Sequence, residues 1–249
     1  MENKERMFHI GLTKSDIEGA KYAILPGDPG RVSKIARMLD NYKPVAVNRE
    51  FTSYLGTINN KKVLVISTGI GGPSTAICVE ELALLGIETI IRVGTCGGMQ
   101  PNVKAGDLVI ASGAIRQEGT TKEYAPIEFP AVANIDVVNA LRESSKKLDH
   151  ICHTGVIQSK DSFYGQHSPE KMPIGYELKN KWNAWIELGC LASDMETAAV
   201  YVVSQTRGIK AASILSVIWN QEIENSETNL DTEKAIKVAV EAIKILMEE

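Results

Sequence analysis

The feature that most constrains this chain is an alternation of short apolar runs with segments of helical periodicity. The apolar runs predict strands at Ala23–Leu25, Lys62–Thr68, Thr89–Gly94, Asp107–Ala114, His153–Ser159, Ala192–Met195 and Ala211–Trp219. Apolar residues at helical spacing predict helices over Pro73–Leu85, Asp136–Leu148, Glu196–Thr206 and Asp231–Met247. Alternating strands and helices are typical of a mostly parallel sheet covered by helices. We therefore expect an α/β fold: a single domain over residues 1–249, with a central mixed, mostly parallel β-sheet flanked by helices.

Bulk composition excludes several classes of protein. Hydrophobic residues make up 44% and charged residues 23% of the 249 residues, as in ordinary folded domains. A net charge of −4 argues against general nucleic-acid binding, which needs a basic surface. The N-terminal stretch MENKERMFHIGL is charged and no later stretch is long and apolar enough, so neither a signal peptide nor a membrane span is expected. Four widely spaced cysteines without a C-x-x-C pair predict free thiols in a reducing cytoplasm.

The stretch YAILPGDPGRV, residues 22–32, leaves a strand through a loop rich in glycine and proline. One interpretation is a tight turn in which Asp28 caps a helix and Pro29 occupies its first position. The other is an anion site, because backbone N–H groups at a helix N-terminus and the guanidinium of Arg31 would favour a phosphate. This stretch alone leaves both interpretations open.

Two further glycine-rich stretches follow predicted strands: STGIGGPSTAICVEEL at 67–82 and RVGTCGGMQP at 92–101. The second carries Arg92 inside the apolar run Ile90–Val93, where an unpaired guanidinium would be costly to bury. Its partner is either a structural carboxylate or a bound phosphate.

A pair of acidic residues stands at another strand end, in the stretch SDMETAA at 193–199. In α/β sheets ligands collect outside the carboxyl ends of strands, so Asp194 and Glu196 could bind a sugar diol around Met195. The alternative is a capping pair, because acidic residues favour a helix start. The polar segment Phe163–Trp185 has weak periodicity and two prolines, which predicts a long functional loop or lid, or else a surface insertion.

Taken together, these stretches resemble the motifs of the nucleoside phosphorylase family over nearly the whole chain, and most closely its uridine phosphorylase branch. The matching segments, in order, are FHIGLTKSDI, PGDPGRV, NREFTSYLG, STGIGGPSTAICVEEL, RVGTCGGMQP, EFPAVA, KDSFYGQ and SDMETA. A dinucleotide-binding loop is a poorer match to the glycine-rich stretch, because the G-x-G-x-x-G spacing is absent there.

The resemblance implies reversible phosphorolysis of uridine, in which inorganic phosphate attacks the ribose anomeric carbon and uracil leaves. Phosphate is then a co-substrate, no other organic cofactor is needed, and uridine and phosphate are the expected partners. Catalytic roles fall on Arg92, Thr95 and Glu196. The implied phosphate-binding residues are Gly27, Arg31, Arg49, Arg92 and Thr95. The implied ribose-binding residues are His9, Met195 and Glu196, and the implied base-binding residues include Cys96, Gly97, Phe163 and Gln166.

The resemblance also implies a homo-oligomer, with a hexamer built from three dimers as the expected form. His9 and Arg49 match residues that the family donates to the site of a neighbouring subunit. A potassium ion at the dimer interface would involve Glu50, Ile70 and Ser74.

The base-binding segment departs from the family pattern. The family has an arginine two positions after the glutamine, where this chain has Ser168, and a second arginine where this chain has Gln221. A departing uracil anion needs a donor, so we expect Lys160 to replace the missing cation and His167 to act as a neutral donor or lid residue. The plain alternative is that Lys160 is a solvated surface lysine.

Other functions stay open at this stage. A purine or broad-specificity nucleoside phosphorylase is one, although SVIWNQ offers no aspartate before Glu222 to protonate a purine ring. A nucleosidase that uses water would not need the arginine cluster. A non-catalytic nucleoside-binding protein is the alternative from another class.

Overall fold

The computed structural model describes residues 6–248 of the chain. Within them, ten strands form one sheet: β1 Tyr22–Pro26, β2 Asp40–Asn48, β3 Phe51–Ile58, β4 Lys61–Ile66, β5 Thr89–Gly98, β6 Leu108–Gln117, β7 Ala131–Val132, β8 Cys152–Lys160, β9 Ala192–Asp194 and β10 Lys210–Asn220. The α-helices are α1 Pro29–Ala36, α2 Gly72–Leu85, α3 Ile135–Lys147, α4 Phe163–His167, α5 Gly175–Glu187, α6 Thr197–Thr206 and α7 Glu233–Glu248. The α/β class predicted from the sequence is confirmed.

The sheet is mixed, and part of it closes on itself. Strands β4, β1, β5 and β10 run parallel to one another, while β2 and β3 extend the sheet as antiparallel strands beyond β4. On the other side, β10 pairs with β6, β6 with β8, and β8 with the short β9. Because β9 also pairs with β5, the strands β5, β10, β6, β8 and β9 form a closed ring. The longest ladders, β5 with β10 and β6 with β8, are parallel.

Helices cover both faces of the sheet over two apolar layers. The first layer packs α2 and α6 against the sheet and includes the fully buried Leu82 and Tyr201. The second packs α1, α3 and α7 on the opposite face, with Ile35, Leu141 and Ile243 fully buried. Burial of such side chains is worth about 1.5–3 kcal/mol each, so these layers hold the strand ends in fixed positions. No helix among residues 6–248 is long and apolar enough to cross a membrane.

Helix starts follow the local chemistry of the sequence. The side chain of Asp28 accepts a hydrogen bond from the Gly30 N–H at 2.8 Å, and Pro29 opens α1, as predicted. At α2 the N-cap is Gly71 with φ of 89°, a conformation that favours glycine. Both loops therefore turn sharply from a strand into a helix, and the Gly69 N–H donates to the Gly27 carbonyl at 3.0 Å, which joins the two loops.

Strands β2, β3 and β7 were not predicted from the sequence, and two expectations about local structure were wrong. The edge strand β2 and its partner β3 were not predicted, since β2 is polar, largely exposed and contains Pro44. The segment Phe163–Trp185 is not a long loop: α4, a 3₁₀ turn and most of α5 occupy it. Strand β5 does not end at Gly94 but continues to Gly98, because β10 pairs with it along its whole length.

Candidate active site

A cavity of about 1060 Å³ opens where the last residues of β1, β4, β8, β9 and β10 meet the outer half of β5. Its wall contains most of the residues predicted to bind substrate. They lie in three zones: a cationic end around Arg31 and Arg92, an acidic middle around Asp194 and Glu196, and a base-reading end around Lys160.

Arg92 forms the floor of the cationic end and is 3% exposed. Its Nε donates to Asp194 Oδ2 at 3.2 Å, and its Nη2 donates to the carboxylates of Asp194 and Glu196. The third nitrogen, Nη1, is buried and has no hydrogen-bond partner among residues 6–248. The sequence left a carboxylate and a phosphate as alternative partners. In the structure, Nε and Nη2 of Arg92 are paired with carboxylates, whereas Nη1 is available to donate to an anion.

Arg31 is the second cation of this end. Its Nη1 donates to the carbonyl of Val93 at 3.2 Å, and its Nε lies 3.8 Å from Asp28 Oδ2. Burial, and then the positive charge of Arg92, lower the pKa of Arg31, because both disfavour its charged form. An anion between them would relieve that repulsion.

Gly27 and Thr95 complete the cationic end. A Cβ on Gly27 would lie 3.1 Å from the carbonyl of Gly69 and 4.0 Å from Arg92 Nη1, so glycine keeps the two loops close together. Thr95 lies on β5, where it pairs with Ser216 of β10, and Thr95 lines the same cavity. Gly27, Thr95 and two arginines therefore line one end of the same cavity, an arrangement that suits an anion.

The two acidic residues of the middle zone have different tasks. Asp194 is saturated: besides Arg92, it accepts from Ser159 Oγ at 2.6 Å and from the N–H and hydroxyl of Thr197, so it caps α6 and orients Arg92. Glu196 lines the cavity and accepts from Arg92 Nη2 and from the Gly71 N–H at 2.7 Å. The capping interpretation is therefore right for Asp194, while Glu196 lines the cavity beside Met195.

Lys160 lies at the base-reading end and is 7% exposed, so it is not a solvated surface lysine. Its Nζ donates to Ser193 Oγ at 2.7 Å and reaches the carbonyl of Asp194 at 3.4 Å. Burial lowers the pKa of Lys160 to about 8, against the opposing pull of Asp194 and Glu196. The ammonium is thus desolvated and faces the cavity.

Aromatic rings and an amide surround this lysine. Phe163 lies at the mouth of the cavity, with its ring centroid 4.3 Å from that of His167, and the His167 ring lies 5.6 Å from that of Trp219. Burial, and then the charge of Lys160, lower the pKa of His167, so the imidazole is neutral at neutral pH. Gln166 contacts Ser193 Oγ at 2.8 Å.

Cys96 and Gly97 form the wall between the cationic and base-reading ends. The thiol of Cys96 is 3.7 Å from the carbonyl of Ser216, and burial raises its pKa. All four cysteines of the chain are free, as predicted.

A second cavity of about 490 Å³ adjoins the base-reading end. It shares Lys160, Gln166 and His167 with the main cavity and continues to Gln221 and Trp182. Gln221 stands where the family pattern has an arginine, so this space lies beside the altered part of the sequence.

Two predicted residues lie away from the cavity of their own chain. His9 donates its backbone N–H to Glu81, and its ring Nδ1 lies 2.7 Å from Glu81 Oε1. Arg49 has φ of 54° and places its guanidinium 5.8 Å from the centroid of the exposed Phe8 ring. Glu50, Ile70 and Ser74, in contrast, lie together at one rim of the cavity.

Sequence reasoning missed the supporting role of Ser193 and the wall formed by Trp219. Ser193 opens the stretch SDMETAA, but nothing in the spacing indicates that its hydroxyl meets Lys160, which is 33 residues away. Trp219 is the penultimate residue of β10, and the strand-end rule that pointed to Glu196 applies to it equally.

The closed ring of strands borders a cavity with a cationic end, a buried carboxylate and an end lined by an amide and an ammonium group. Such a cavity suits an α/β enzyme that acts on a polar substrate together with an anion. The chain belongs to the Phosphorylase superfamily, whose family model matches residues 21–249. It is 52% identical over 245 residues to a uridine phosphorylase of Treponema pallidum, covering 96% of this chain and 94% of that protein. It is 42% identical over 252 residues to a uridine phosphorylase of Escherichia coli, covering 98% and 100%. A guanosine phosphorylase of Halorubrum lacusprofundi is 35% identical over 249 residues, covering 96% and 98%.

Proposed function

We propose that this chain catalyses the reversible phosphorolysis of uridine to uracil and ribose 1-phosphate. The observation that carries the proposal is the Nη1 atom of buried Arg92, which has no hydrogen-bond partner among residues 6–248. Arg92 and Arg31 line one end of a cavity large enough for a nucleoside and an anion. The likeness to proteins named uridine phosphorylase, at 52% and 42% identity over nearly the full chain, supports the same reaction.

Phosphate is the nucleophile in this proposal. Arg92, Arg31 and Thr95 bind the dianion and hold one of its oxygens in line with the anomeric carbon. That oxygen forms a bond to C1′ while the bond from C1′ to the base nitrogen breaks. The electron pair of the broken bond leaves with the base, so the sugar passes through a cationic, oxocarbenium-like transition state.

The middle zone stabilises that transition state. Glu196 accepts hydrogen bonds from the ribose hydroxyls and places negative charge beside the developing cation. Met195 packs against the sugar. Asp194 accepts hydrogen bonds from both Arg92 and Ser159, so its carboxylate is fixed in place. The fixed carboxylate keeps Arg92 from rotating toward the sugar, which preserves the separation of the cationic and acidic zones.

Lys160 stabilises the departing base. Uracil leaves with negative charge spread over its two carbonyl oxygens, and a desolvated ammonium in the wall of the base-reading end is suited to receive it. The neutral His167 ring supplies a further hydrogen-bond donor, while Phe163 packs against the base. The proton that finally neutralises uracil comes from solvent.

The guanosine phosphorylase among the relatives raises a purine substrate as the second candidate. Asn220, which precedes the Gln221 position, is fully buried and donates to the carbonyls of Gln100 and Val103 at 2.9 and 2.7 Å, away from the cavity. Glu222 accepts from Trp182 Nε1 at 2.8 Å. Asn220 has no acidic group, and Glu222 lines the adjoining cavity and not the main one, so we favour uridine.

The proposal includes an assembly of identical subunits with shared sites, with a hexamer of three dimers as the form. His9 and Arg49 lie outside their own cavity, and the apolar side chains of Phe8 and Val47 near them are 73% and 76% exposed. A neighbouring subunit that covers this surface would receive His9 and Arg49 into its own site and bury the exposed apolar groups.

We also propose a potassium ion at that interface and a cytoplasmic location. The side chain of Glu50, the carbonyl of Ile70 and the hydroxyl of Ser74 form an all-oxygen donor set, which suits a hard monovalent cation, and the Ser74 hydroxyl lies 3.2 Å from the Ile70 carbonyl. The free thiols fit a reducing compartment.

The test is uracil release from uridine with and without inorganic phosphate, run beside thymidine and inosine. We expect phosphate-dependent release from uridine and a much slower reaction with inosine. Inosine cleaved faster than uridine would favour the purine candidate, and release that is independent of phosphate would indicate a hydrolase.

A further inference from the structure

A chain of hydrogen bonds runs behind the base-reading end, from the surface of α5 to Gln166. We name it the amide relay; its members are Trp185, Gln117, Gln158 and Ser193. At its outer end, Trp185 Nε1 donates to Gln117 Oε1 at 2.9 Å, and Gln158 Nε2 donates to the same oxygen at 2.6 Å. Gln158 is 4% exposed and Ser193 is 2% exposed, so solvent does not interrupt the chain there.

Trp185 fixes which groups donate and which accept along the amide relay. An indole N–H can only donate, so Gln117 must turn its oxygen toward Trp185. Gln158 meets that same oxygen and must therefore present its NH₂ group to Gln117. This leaves the Gln158 oxygen facing Ser193, whose hydroxyl donates to it at 2.7 Å.

The hydrogen bonds of Ser193 in turn determine the orientation of the Gln166 amide. A serine hydroxyl has one proton and two lone pairs. The proton goes to Gln158, and Lys160 Nζ donates to one lone pair at 2.7 Å. The amide of Gln166 has its Oε1 atom 2.8 Å from the same hydroxyl oxygen, a contact that would require a second hydroxyl proton. The two ends of an amide are distinguished by their partners, so Nε2 takes this contact and Oε1 turns to the cavity.

We propose that the amide relay sets the Gln166 amide with its oxygen toward the base and thereby selects uracil over cytosine. This inference rests on the proposed function. Uracil carries an N3–H donor between two carbonyl oxygens, which matches the Gln166 oxygen beside the Lys160 ammonium. Cytosine presents a lone pair at N3, which would face the Gln166 oxygen. The relay residues act through Gln166 and are positioning residues.

The decisive variant is Gln158→Met, which keeps the shape of the side chain and removes its amide. The Ser193 proton is then free to donate to Gln166 Oε1, so the Gln166 amide can reverse and present NH₂ to the base. We expect the ratio of kcat/KM for uridine to that for cytidine to fall at least about tenfold. Inhibition constants for uracil and cytosine should converge in the same way, which gives a readout even where cytidine turnover is too slow to measure.

Gln117→Glu is the matched control, because its carboxylate still accepts from both Trp185 and Gln158 and so preserves the direction of the relay. It should keep the wild-type ratio. Gln117→Met, at a less buried position, removes the oxygen that orders Gln158 and should shift the ratio in the same sense as Gln158→Met. The phosphate KM should stay near the wild-type value in all three variants, since the cationic end lies across the cavity.

An unchanged uridine-to-cytidine ratio in Gln158→Met and Gln117→Met would overturn the inference, as would equal losses for both substrates with a raised phosphate KM. These outcomes differ from a failure of the proposed function. In that case, the wild-type protein itself would not release uracil from uridine in the presence of phosphate.

Discussion

Arg92 and Asp194 form a buried ion pair, with Nη2 3.1 Å from Oδ2. The pair orients the guanidinium so that its Nη1, which has no hydrogen-bond partner in the described part of the chain, lies at the cationic end of the cavity. The arginine comes from β5 and the aspartate from β9, two strands that pair only through the closure of the sheet. The fold therefore prepares a donor for an anion before any anion binds. Preorganised donors of this kind are the main source of electrostatic catalysis.

Removing that donor should abolish most activity. Arg92→Ala should lower kcat/KM for phosphate roughly 10²–10³-fold, because the variant loses a buried contact to the reacting phosphate. Arg37→Ala, which removes an exposed arginine just beyond α1, serves as the control and should retain wild-type rates. Steady-state kinetics over a range of phosphate concentrations checks both variants. Near-normal turnover of Arg92→Ala at saturating phosphate would contradict this role.

Lys160 should contribute more to kcat/KM for a nucleoside whose base is a poorer leaving group. Lys160→Met should lower kcat/KM for uridine by one to two orders of magnitude, the ~1–3 kcal/mol of a hydrogen bond to a charged group. The loss should be much smaller for 5-fluorouridine, whose base is a better leaving group. The exposed Lys171 offers a matched control, Lys171→Met, with no expected effect. Equal losses for the two nucleosides would argue that Lys160 only supports the structure.

The same lysine should make the reaction sensitive to alkaline pH. Because burial lowers the pKa of Lys160 to about 8, the ammonium is present below that pH and is lost as the pH rises through it. We expect kcat/KM for uridine, at saturating phosphate, to fall above pH 8 in the wild-type protein. Uridine itself ionises in alkali, so the comparison is with Lys160→Met, whose profile should lack the limb near pH 8. An identical limb in both proteins would assign it to another group.

Shared sites should allow two inactive variants to rescue each other. Arg49→Ala and Arg92→Ala each lack one of the residues that we propose to bind phosphate, and in a mixed oligomer some sites would combine an intact Arg49 with an intact Arg92. Co-refolding or co-expressing them should restore part of the activity, while each variant mixed with itself stays inactive. Native mass spectrometry verifies that mixed species form. Mixed oligomers without any recovered activity would show that each site is built from one chain.

Much of the fold could be predicted because buried strands have short apolar signatures. Strands β4 and β10 are apolar over most of their length, since both of their faces are covered by helices. The edge strand β2 carries polar residues and a proline, so its sequence does not differ from that of a loop. The helix α5 has only Gly175 fully buried, and a helix with so little buried surface has weak apolar periodicity.

The site was predicted less completely, because contacts between distant residues leave no trace in local spacing. The family resemblance pointed to Arg92, Glu196 and Gln166, and the cavity brings them together. The partners that orient them do not follow from the sequence pattern. The bond between Ser193 and Gln158 spans 35 residues and depends on the pairing of β8 with β9.

The most direct test of the proposed reaction is the identity of the sugar product. Purified protein is incubated with uridine and inorganic phosphate, and the products are quantified by mass spectrometry. We predict equal amounts of uracil and ribose 1-phosphate, no product when phosphate is omitted, and formation of uridine when uracil and ribose 1-phosphate are supplied instead. Free ribose formed without phosphate, or an absence of uracil under all these conditions, would contradict the account.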